Sequence, residues 1–459
     1  MRFLMIGVLV WVLASAAAWG QDGGLKDRIA RLEALVAAQQ KTIAALESRL
    51  DALKRPDKAA DAPDGVALSA RQEKATTKAD AGQDGAQADY RVKINPGLTV
   101  TDADSGESIS IRGMLQTDLA FFKDDRRDFQ DDAAFRRARI DLRGRLNPDI
   151  SFRVESDFSL GRARIVNGYA RWQPGDHSRL TIGQQKPRAD MAFNTSSRER
   201  TFDIAGVNAT LLPRHRIGAQ VEQWGRHHTL SAGLFAQDSD KDPVADEGLM
   251  VAGRAVWRPV VTPDARLHLG VNVLHQDVNG DVFRLRTRPV VRLSRGDRLI
   301  DTGTLAGINR TTTWGAELAG ALGPVTWQGE WKHMDIDRDG AGSGLSADGG
   351  YGQVGIFLTG EHRPYSNTAG VFGKVIPNQS LADGGPGALE MVVRYHELDL
   401  FDGPAMPGGV MSDWTLGLNW FLTRSVRFMA NYSFIQSRDP LTGLEDDPEV
   451  LLLRTAVHF

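Results

Sequence analysis

The 459-residue chain contains no cysteine, which excludes disulfide bonds, thiolate metal sites and a cysteine nucleophile. No stretch approaches the ~18 consecutive apolar residues of a membrane-spanning helix. A surplus of either charge is also lacking: 55 Lys and Arg stand against 58 Asp and Glu, for a net charge of -3. That balance leaves no electrostatic footprint for a nucleic-acid partner. Mean hydropathy is -0.30, as in a water-soluble protein. A transmembrane barrel has a similar average, because only alternate residues of each strand face lipid. Glycine, by contrast, is abundant at 48 residues, which suits a chain with many tight turns.

Among what is present, Phe135 to Leu146 is the most informative stretch. Arg137, Arg139, Asp141, Arg143 and Arg145 fall on one face of a period-two pattern, and Ala138, Ile140, Leu142, Gly144 and Leu146 on the other. The charged face is a file of guanidinium groups spaced roughly 7 Å apart. Such a strand needs an apolar phase on one side and water with counter-ions on the other. The open face of a soluble antiparallel sheet offers this, and so does a transmembrane barrel with a wet interior.

The amino-terminal part is of another kind. Met1-Arg2, the apolar run Phe3 to Leu13 and the small residues up to Gly20 have the form of a secretory signal peptide, residues 1–20, cut after Gly20. Leu25, Ile29, Leu32, Val36, Gln39, Ile43, Leu46, Leu50 and Leu53 alternate in steps of four and three. This heptad register predicts a self-associating coiled coil over residues 25–53, since an isolated helix of that length is marginal in water. β-Branched residues at a favour two strands, and Gln39 at d leaves three open. An amphipathic helix lying on its own domain is the alternative. Residues 54–89 hold almost no large apolar side chain and read as a flexible linker.

Residues 90–459 read as an all-β body. Alternating segments recur from Ile109 onward, among them Phe152 to Phe158, Val251 to Trp257, Phe283 to Arg288, Trp314 to Leu318, Leu389 to Tyr395 and Val426 to Phe434. Tight turns such as Asn147-Pro148-Asp149, Pro174-Gly175-Asp176 and Gly323-Pro324 alternate with longer loops such as Lys123 to Asp132, Asp238 to Gly248 and Asp335 to Gly350. Short turns at one rim and long loops at the other describe an outer-membrane barrel, a rhythm that a soluble sandwich has no reason to keep. Trp257, Trp327, Trp331, Trp414, Trp420 and Tyr432 sit in the apolar phase, as interfacial girdles require. The chain ends on an alternating strand closed by Phe459, similar to the signal read by outer-membrane assembly machinery. The strand candidates predict a 16-stranded antiparallel transmembrane β-barrel, with 18 as the alternative, because bacterial barrels close on an even number.

A barrel of that size encloses water. Strand phase directs Arg112, Arg137, Arg139, Arg143, Arg145, Arg153, Arg171, Arg254, Arg258, Arg284, Arg286, Arg288, Arg394, Arg427 and Arg454 into the lumen. The acids with the same phase are fewer: Asp118, Asp141, Glu155, Asp157, Glu222, Glu317, Glu330 and Glu390. A basic constriction favours anions, and arginine grips phosphate oxygens in a bidentate way. The competing reading pairs these arginines with the acids, so that they only stiffen the wall. Lys186 to Pro213 is too long for a hairpin loop and carries Lys186, Arg188, Asp190, Arg198, Glu199, Arg200 and Asp203. It stands after the fifth strand, where porins fold a loop inward. His362 to Gly387, with Arg363, Tyr365 and Lys374, is a second such segment.

These residues resemble the phosphate-selective porin O and P family. The resemblance is carried by Ala134 to Gly144, by Thr181 to Pro187 with Ser196-Ser197-Arg198-Glu199, and by Leu358 to Glu361 with Pro364-Tyr365. Ala388 to Tyr395, Leu398 to Leu400, Gly417 to Trp420 and Phe459 complete it, over about residues 90–459. It implies a 16-stranded trimeric porin passing phosphate or other small anions. At residues 202–205 the chain reads Phe-Asp-Ile-Ala where the family pattern has an acidic-Arg-Ser turn, and the inward loop has no lysine cluster. The resemblance therefore carries a pore further than it carries strict phosphate selectivity.

No cofactor, metal or catalytic set is predicted. Asp335-Ile336-Asp337-Arg338-Asp339-Gly340 begins like a calcium loop, but its twelfth position is Ser346 rather than Glu. His227-His228 falls at a tight turn, and no Ser-His-Asp set has the phase and spacing of a triad. The expected partners are outer-membrane lipid and lipopolysaccharide, two further copies of the chain, and small anions. An alternative is a non-selective porin whose coiled coil tethers the outer membrane to peptidoglycan.

Overall fold

The computed structural model describes residues 89–94, 97–161, 163–202, 207–236, 248–278, 283–291, 293, 298–339 and 344–459. The segments read as signal peptide, coiled coil and, up to residue 88, linker lie outside the described residues, as does Asp203. No helix among the described residues is long and apolar enough to cross a membrane.

The wall is a closed 16-stranded antiparallel barrel. Its strands are β1 Ser108–Lys123, β2 Asp132–Arg145, β3 Ile150–Asp157, β4 Arg164–Trp172, β5 Ser178–Gln185, β6 Arg216–Trp224, β7 His228–Phe235 and β8 Met250–Val261. They continue as β9 Ala265–Asp277, β10 Ile308–Leu322, β11 Val325–Arg338, β12 Leu345–Phe357, β13 Ala388–Phe401, β14 Pro407–Phe421, β15 Val426–Arg438 and β16 Glu449–His458. Each pairs with the next, and β16 pairs back onto β1 with Leu453 opposite Leu119 and His458 opposite Met114. Phe459 extends that seam through backbone bonds in both directions with Gly113. Below it, a hairpin of Tyr90–Ile94 and Leu98–Asp102 continues the sheet, with Leu98 opposite Ile111.

The two faces separate as period two demands. On β1, Ile109, Ile111 and Leu115 face outward and Gln116 and Asp118 inward. Trp257, Trp331 and Trp414 are exposed on the outer face, in the phase a lipid-facing aromatic belt uses. One irregularity re-aims a side chain. Arg136 is an extra residue in the β1–β2 ladder, where Gln116 opposes Arg137 and Thr117 opposes Phe135. This bulge turns Phe135 to the lipid side at 56% exposure, although strict alternation would have put it among the arginines.

Two expectations need correction. Arg284, Arg286 and Arg288 are not on a wall strand: they lie in the connection between β9 and β10, where Arg286–Thr287 and Ile300–Asp301 form a two-residue ladder. Their alternation marks an amphipathic hairpin, not a membrane crossing. Leu285, Leu293, Leu299 and Ile300 from this connection cover Ile336, Leu398, Leu400, Met411 and Leu452 of the wall's inner face in one apolar cluster. The interior is thus part apolar, not guanidinium-lined throughout. The stretch Asp335 to Gly350 is mostly strand rather than loop, since β11 runs to Arg338 and β12 begins at Leu345.

Gly320 of β10 faces Trp327 of β11, and a Cβ there would lie 2.1 Å from the indole and 2.8 Å from the carbonyl oxygen of Arg266. The indole lies over the glycine because nothing projects there. Gly320→Val is expected to cost about 1–3 kcal/mol by overpacking. The check is a lower urea midpoint for the folded band on unheated gels.

Candidate functional site

Three connections narrow the lumen. The first follows β5 and carries the one-turn helix Met191–Asn194, capped by Asp190, whose carboxylate accepts from the Phe193 amide at 2.6 Å. Glu330 of β11 fixes this turn by accepting from the amides of Met191 at 3.2 Å and Ala192 at 2.7 Å. The same carboxylate accepts the Tyr351 hydroxyl, and Lys332 stands 3.1 Å from Asp190. The segment then crosses to other walls. Gln116 of β1 donates to the Ser197 carbonyl at 3.1 Å, and Asn419 of β14 donates to the Thr201 carbonyl at 3.0 Å.

The second is the connection between β12 and β13, which leaves from the short-turn rim and folds inward. Arg363 is ion-paired with Glu390 at 2.6 Å and donates to the Glu199 carbonyl at 2.9 Å, so this segment touches the first. Tyr365 reaches β9, where its hydroxyl bonds His268 at 2.5 Å and its ring lies 5.4 Å from the Arg266 guanidinium. Arg254, paired with Glu317 at 2.7 Å, donates to the carbonyls of Ala369 and Gly370. The third connection is the apolar one between β9 and β10.

Two groups stand out among the inward arginines, and exposure separates them. Side chains of Arg254, Arg363 and Arg454 are 2%, 2% and 1% exposed and are sealed against Glu317, Glu390 and Asp118. These brace the wall and the inward segments. Side chains of Arg139, Arg143, Arg153 and Arg188 are 13%, 37%, 21% and 19% exposed and line the water-filled side along β2 to β6. There carboxylates are shared: Asp141 takes both Arg143 and Arg153 at 2.7 Å, and Glu222 takes both Arg179 and Arg188. Arg112 and Arg171 have no carboxylate within ion-pair distance among the described residues, and Arg171 bonds Tyr169 and Thr181 instead.

The remaining expected positions sort differently. Arg137 is buried and donates to Gln116 at 2.7 Å. Arg394 is buried with Phe202 stacked 4.1 Å from its guanidinium. Arg145 is exposed at the end of β2. Lys186 packs its ammonium over the Phe193 ring and donates to the Phe193 carbonyl at 2.7 Å. Burial, with Arg200 and Arg139 nearby, holds its pKa well below the ordinary lysine value. Arg200 donates to that same carbonyl at 3.2 Å, and Arg198 stands beside it in the loop, its pKa lowered by burial. Sequence reasoning missed the pairing of Asp190 with Lys332 and the fixing of the loop by Glu330. Lys332 and Glu330 shared the inward phase, but phase does not name a partner.

The family model for phosphate-selective porin O and P matches residues 109–459. The chain belongs to that family. Porin O of Pseudomonas aeruginosa is 28% identical over 384 residues, covering 75% of this chain and 86% of that protein. An uncharacterized protein of Caulobacter vibrioides is 27% identical over 466 residues, covering 95% and 91%. Among solved structures, the Salmonella typhi OmpF complex with daunomycin has a TM-score of 0.51 at 10% identity, covering 78% of this chain and 99% of that one. That last likeness is one of fold. The protein is an outer-membrane porin, a channel rather than an enzyme.

In this porin, Glu330→Ala removes the acceptor that holds the first inward segment. Single-channel conductance is expected to rise and stability to fall by about 3 kcal/mol, since two buried amides and a hydroxyl lose their acceptor. Planar-bilayer recordings and urea unfolding check the two effects separately.

Proposed function

We propose that the porin is a passive, anion-preferring channel whose solutes are phosphate and other small oxoanions. The observation that carries this is the excess of guanidinium over carboxylate along β2 to β6: Arg139, Arg143 and Arg153 are balanced by Asp141, Glu155 and Asp157, Glu222 alone faces both Arg179 and Arg188, and Arg112 and Arg171 have no carboxylate within ion-pair distance among the described residues. The Glu222 set leaves about one positive charge beside the water path and Arg112 and Arg171 add theirs, which draws anions and repels cations. The family's phosphate-selective members and the relative named Porin O support the same direction. The pore-lining assignment rests on Arg139, Arg143, Arg153, Arg188 and Arg112. Arg137, Arg394 and Lys186 serve the loop and the wall.

The channel works as a homotrimer in contact with outer-membrane lipid and lipopolysaccharide, with the heptad segment 25–53 joining the copies in the periplasm. Deleting that segment and sizing the protein in detergent tests the last point.

Reversal potential in a planar bilayer under a KCl gradient tests the selectivity. The unmodified channel is expected to show the anion-selective sign. Arg112→Glu with Arg143→Glu is expected to move the potential toward, or past, zero. A cation-selective sign in the unmodified protein overturns the proposal.

A further inference from the structure

On its lipid-facing side the wall has a recess of about 480 Å³ across β6 to β10. Its lining includes Ala232, Gly253 and Ala255, which project little, and the larger Val221, Leu230 and Trp314, which stand exposed around them. The small residues are neighbours in the sheet, with Ala232 opposite Gly253 and Ala255 opposite Leu230. Nothing in the chain fills this space. A Cβ built at Gly253 meets no atom nearer than the Val273 methyl at 3.4 Å. An apolar recess offers water no partners, and a wall surrounded by acyl chains has hydrocarbon to fill it.

The foot of the recess shows to which molecule that hydrocarbon belongs. Gln223 lines the recess near the short-turn rim, and its side-chain oxygen meets the His228 ring at 2.9 Å. His228 is opposite Trp257, which is exposed on the outer face. Arg226, three residues after Gln223 and so within about 10 Å of it, is exposed at the turn. It donates to the Val261 carbonyl at 3.1 Å, which carries its guanidinium across to the β8–β9 turn. That turn, Thr262-Pro263-Asp264, presents an exposed carboxylate. Neither Arg226 nor Asp264 has an ion-pair partner among the described residues. A guanidinium and a carboxylate, unspent on each other, thus flank one end of an apolar recess. A phosphoethanolamine headgroup carries the complementary pair, a phosphate diester and a primary ammonium.

We propose that the recess seats one acyl chain of a zwitterionic phospholipid of the periplasmic leaflet, with its phosphate on Arg226 and its ammonium on Asp264. The seat deepens the reading of the porin as a channel in contact with outer-membrane lipid and rests on it for the bilayer. Trp257 stands between chain and headgroup, where an amphipathic ring is at home. A headgroup without an ammonium would leave Asp264 facing an anion. Lipopolysaccharide keeps its headgroup at the long-loop rim, away from this turn. On their other side the same strands carry Arg254 and Asn272, both bonded to Glu317, so the seat stands back to back with the anchor of the second inward segment.

Native mass spectrometry of the delipidated full chain in detergent, titrated with dioleoylphosphatidylethanolamine, tests the seat. One lipid per chain is expected to bind ahead of nonspecific adducts, and dioleoylphosphatidylglycerol about tenfold more weakly. Gly253→Leu fills the recess and is expected to weaken binding about tenfold. Arg226→Gln, at an exposed turn, is expected to weaken it severalfold through loss of a charge-assisted contact. Should Gly253→Leu fail to assemble, Arg226→Gln and the comparison of the two lipids decide. No bound lipid, equal binding of both lipids, or binding that either variant leaves untouched overturns the seat. Planar-bilayer recording on the same preparation separates the two readings. A conducting protein that retains no lipid loses the seat alone, and one that binds the lipid without conducting keeps the seat and loses the channel.

Discussion

Hydrocarbon offers backbone amides and carbonyls no partner, so a sheet in a membrane cannot keep an edge. The seam between β16 and β1 is where this chain meets that demand, and Phe459 carries it one residue past His458 onto Gly113. Closure fixes more than the wall. Sixteen strands enclose an interior too wide for strand side chains to fill, so the connections must enter it or leave it to water. This chain does both. An apolar hairpin covers the inner face around Ile336, Leu398 and Leu452, while β2 to β6 keep a charged face open to solvent.

Inward segments need fixed attachment points, and here carboxylates provide them. Glu330 grips the turn at Met191, Glu317 aligns Arg254 beneath Ala369 and Gly370, and Glu390 holds Arg363. Buried ion pairs contribute little net stability, because desolvation offsets most of their attraction. Losing one partner is nevertheless strongly destabilising. Such pairs therefore fix where a loop lies more than they stabilise the barrel. The channel's bore follows from where a few acids stand on β10, β11 and β13.

Much of this was legible from the sequence, for a reason that also marks its limit. Period two is a local property, so the alternation along β1, β2, β11 and β15 could be read directly, as could the long segment after β5. Phe135 escaped because a single inserted residue, Arg136, reverses the phase, and a bulge has no signature in a pattern of apolar and charged residues. Arg284, Arg286 and Arg288 misled for the opposite reason. An amphipathic hairpin packed against an inner wall alternates just as a membrane strand does, because both have one wet and one dry face. Which arginine meets which acid was not legible at all. Arg454 pairs with Asp118 across the closing seam, a contact set by ring closure rather than by any neighbour in the chain.

The sharing of carboxylates also bears on how an arginine-rich wall can conduct. A file of unpaired guanidiniums would hold a multivalent anion too tightly for it to leave, and a fully paired file would be neutral and would not attract it. Conduction needs binding strong enough for entry and weak enough for exit, best spread over several sites. A balanced set of Arg139, Arg143 and Arg153 with Asp141, Glu155 and Asp157, beside Glu222 shared between Arg179 and Arg188 with about one positive charge left over, gives that intermediate condition. Arg143, the most exposed of these guanidiniums at 37%, is also the one most screened by water. Attraction is thus graded along the wall by how far each guanidinium is spent on an acid and how far it is wet, and an anion meets a series of modest wells instead of one deep trap.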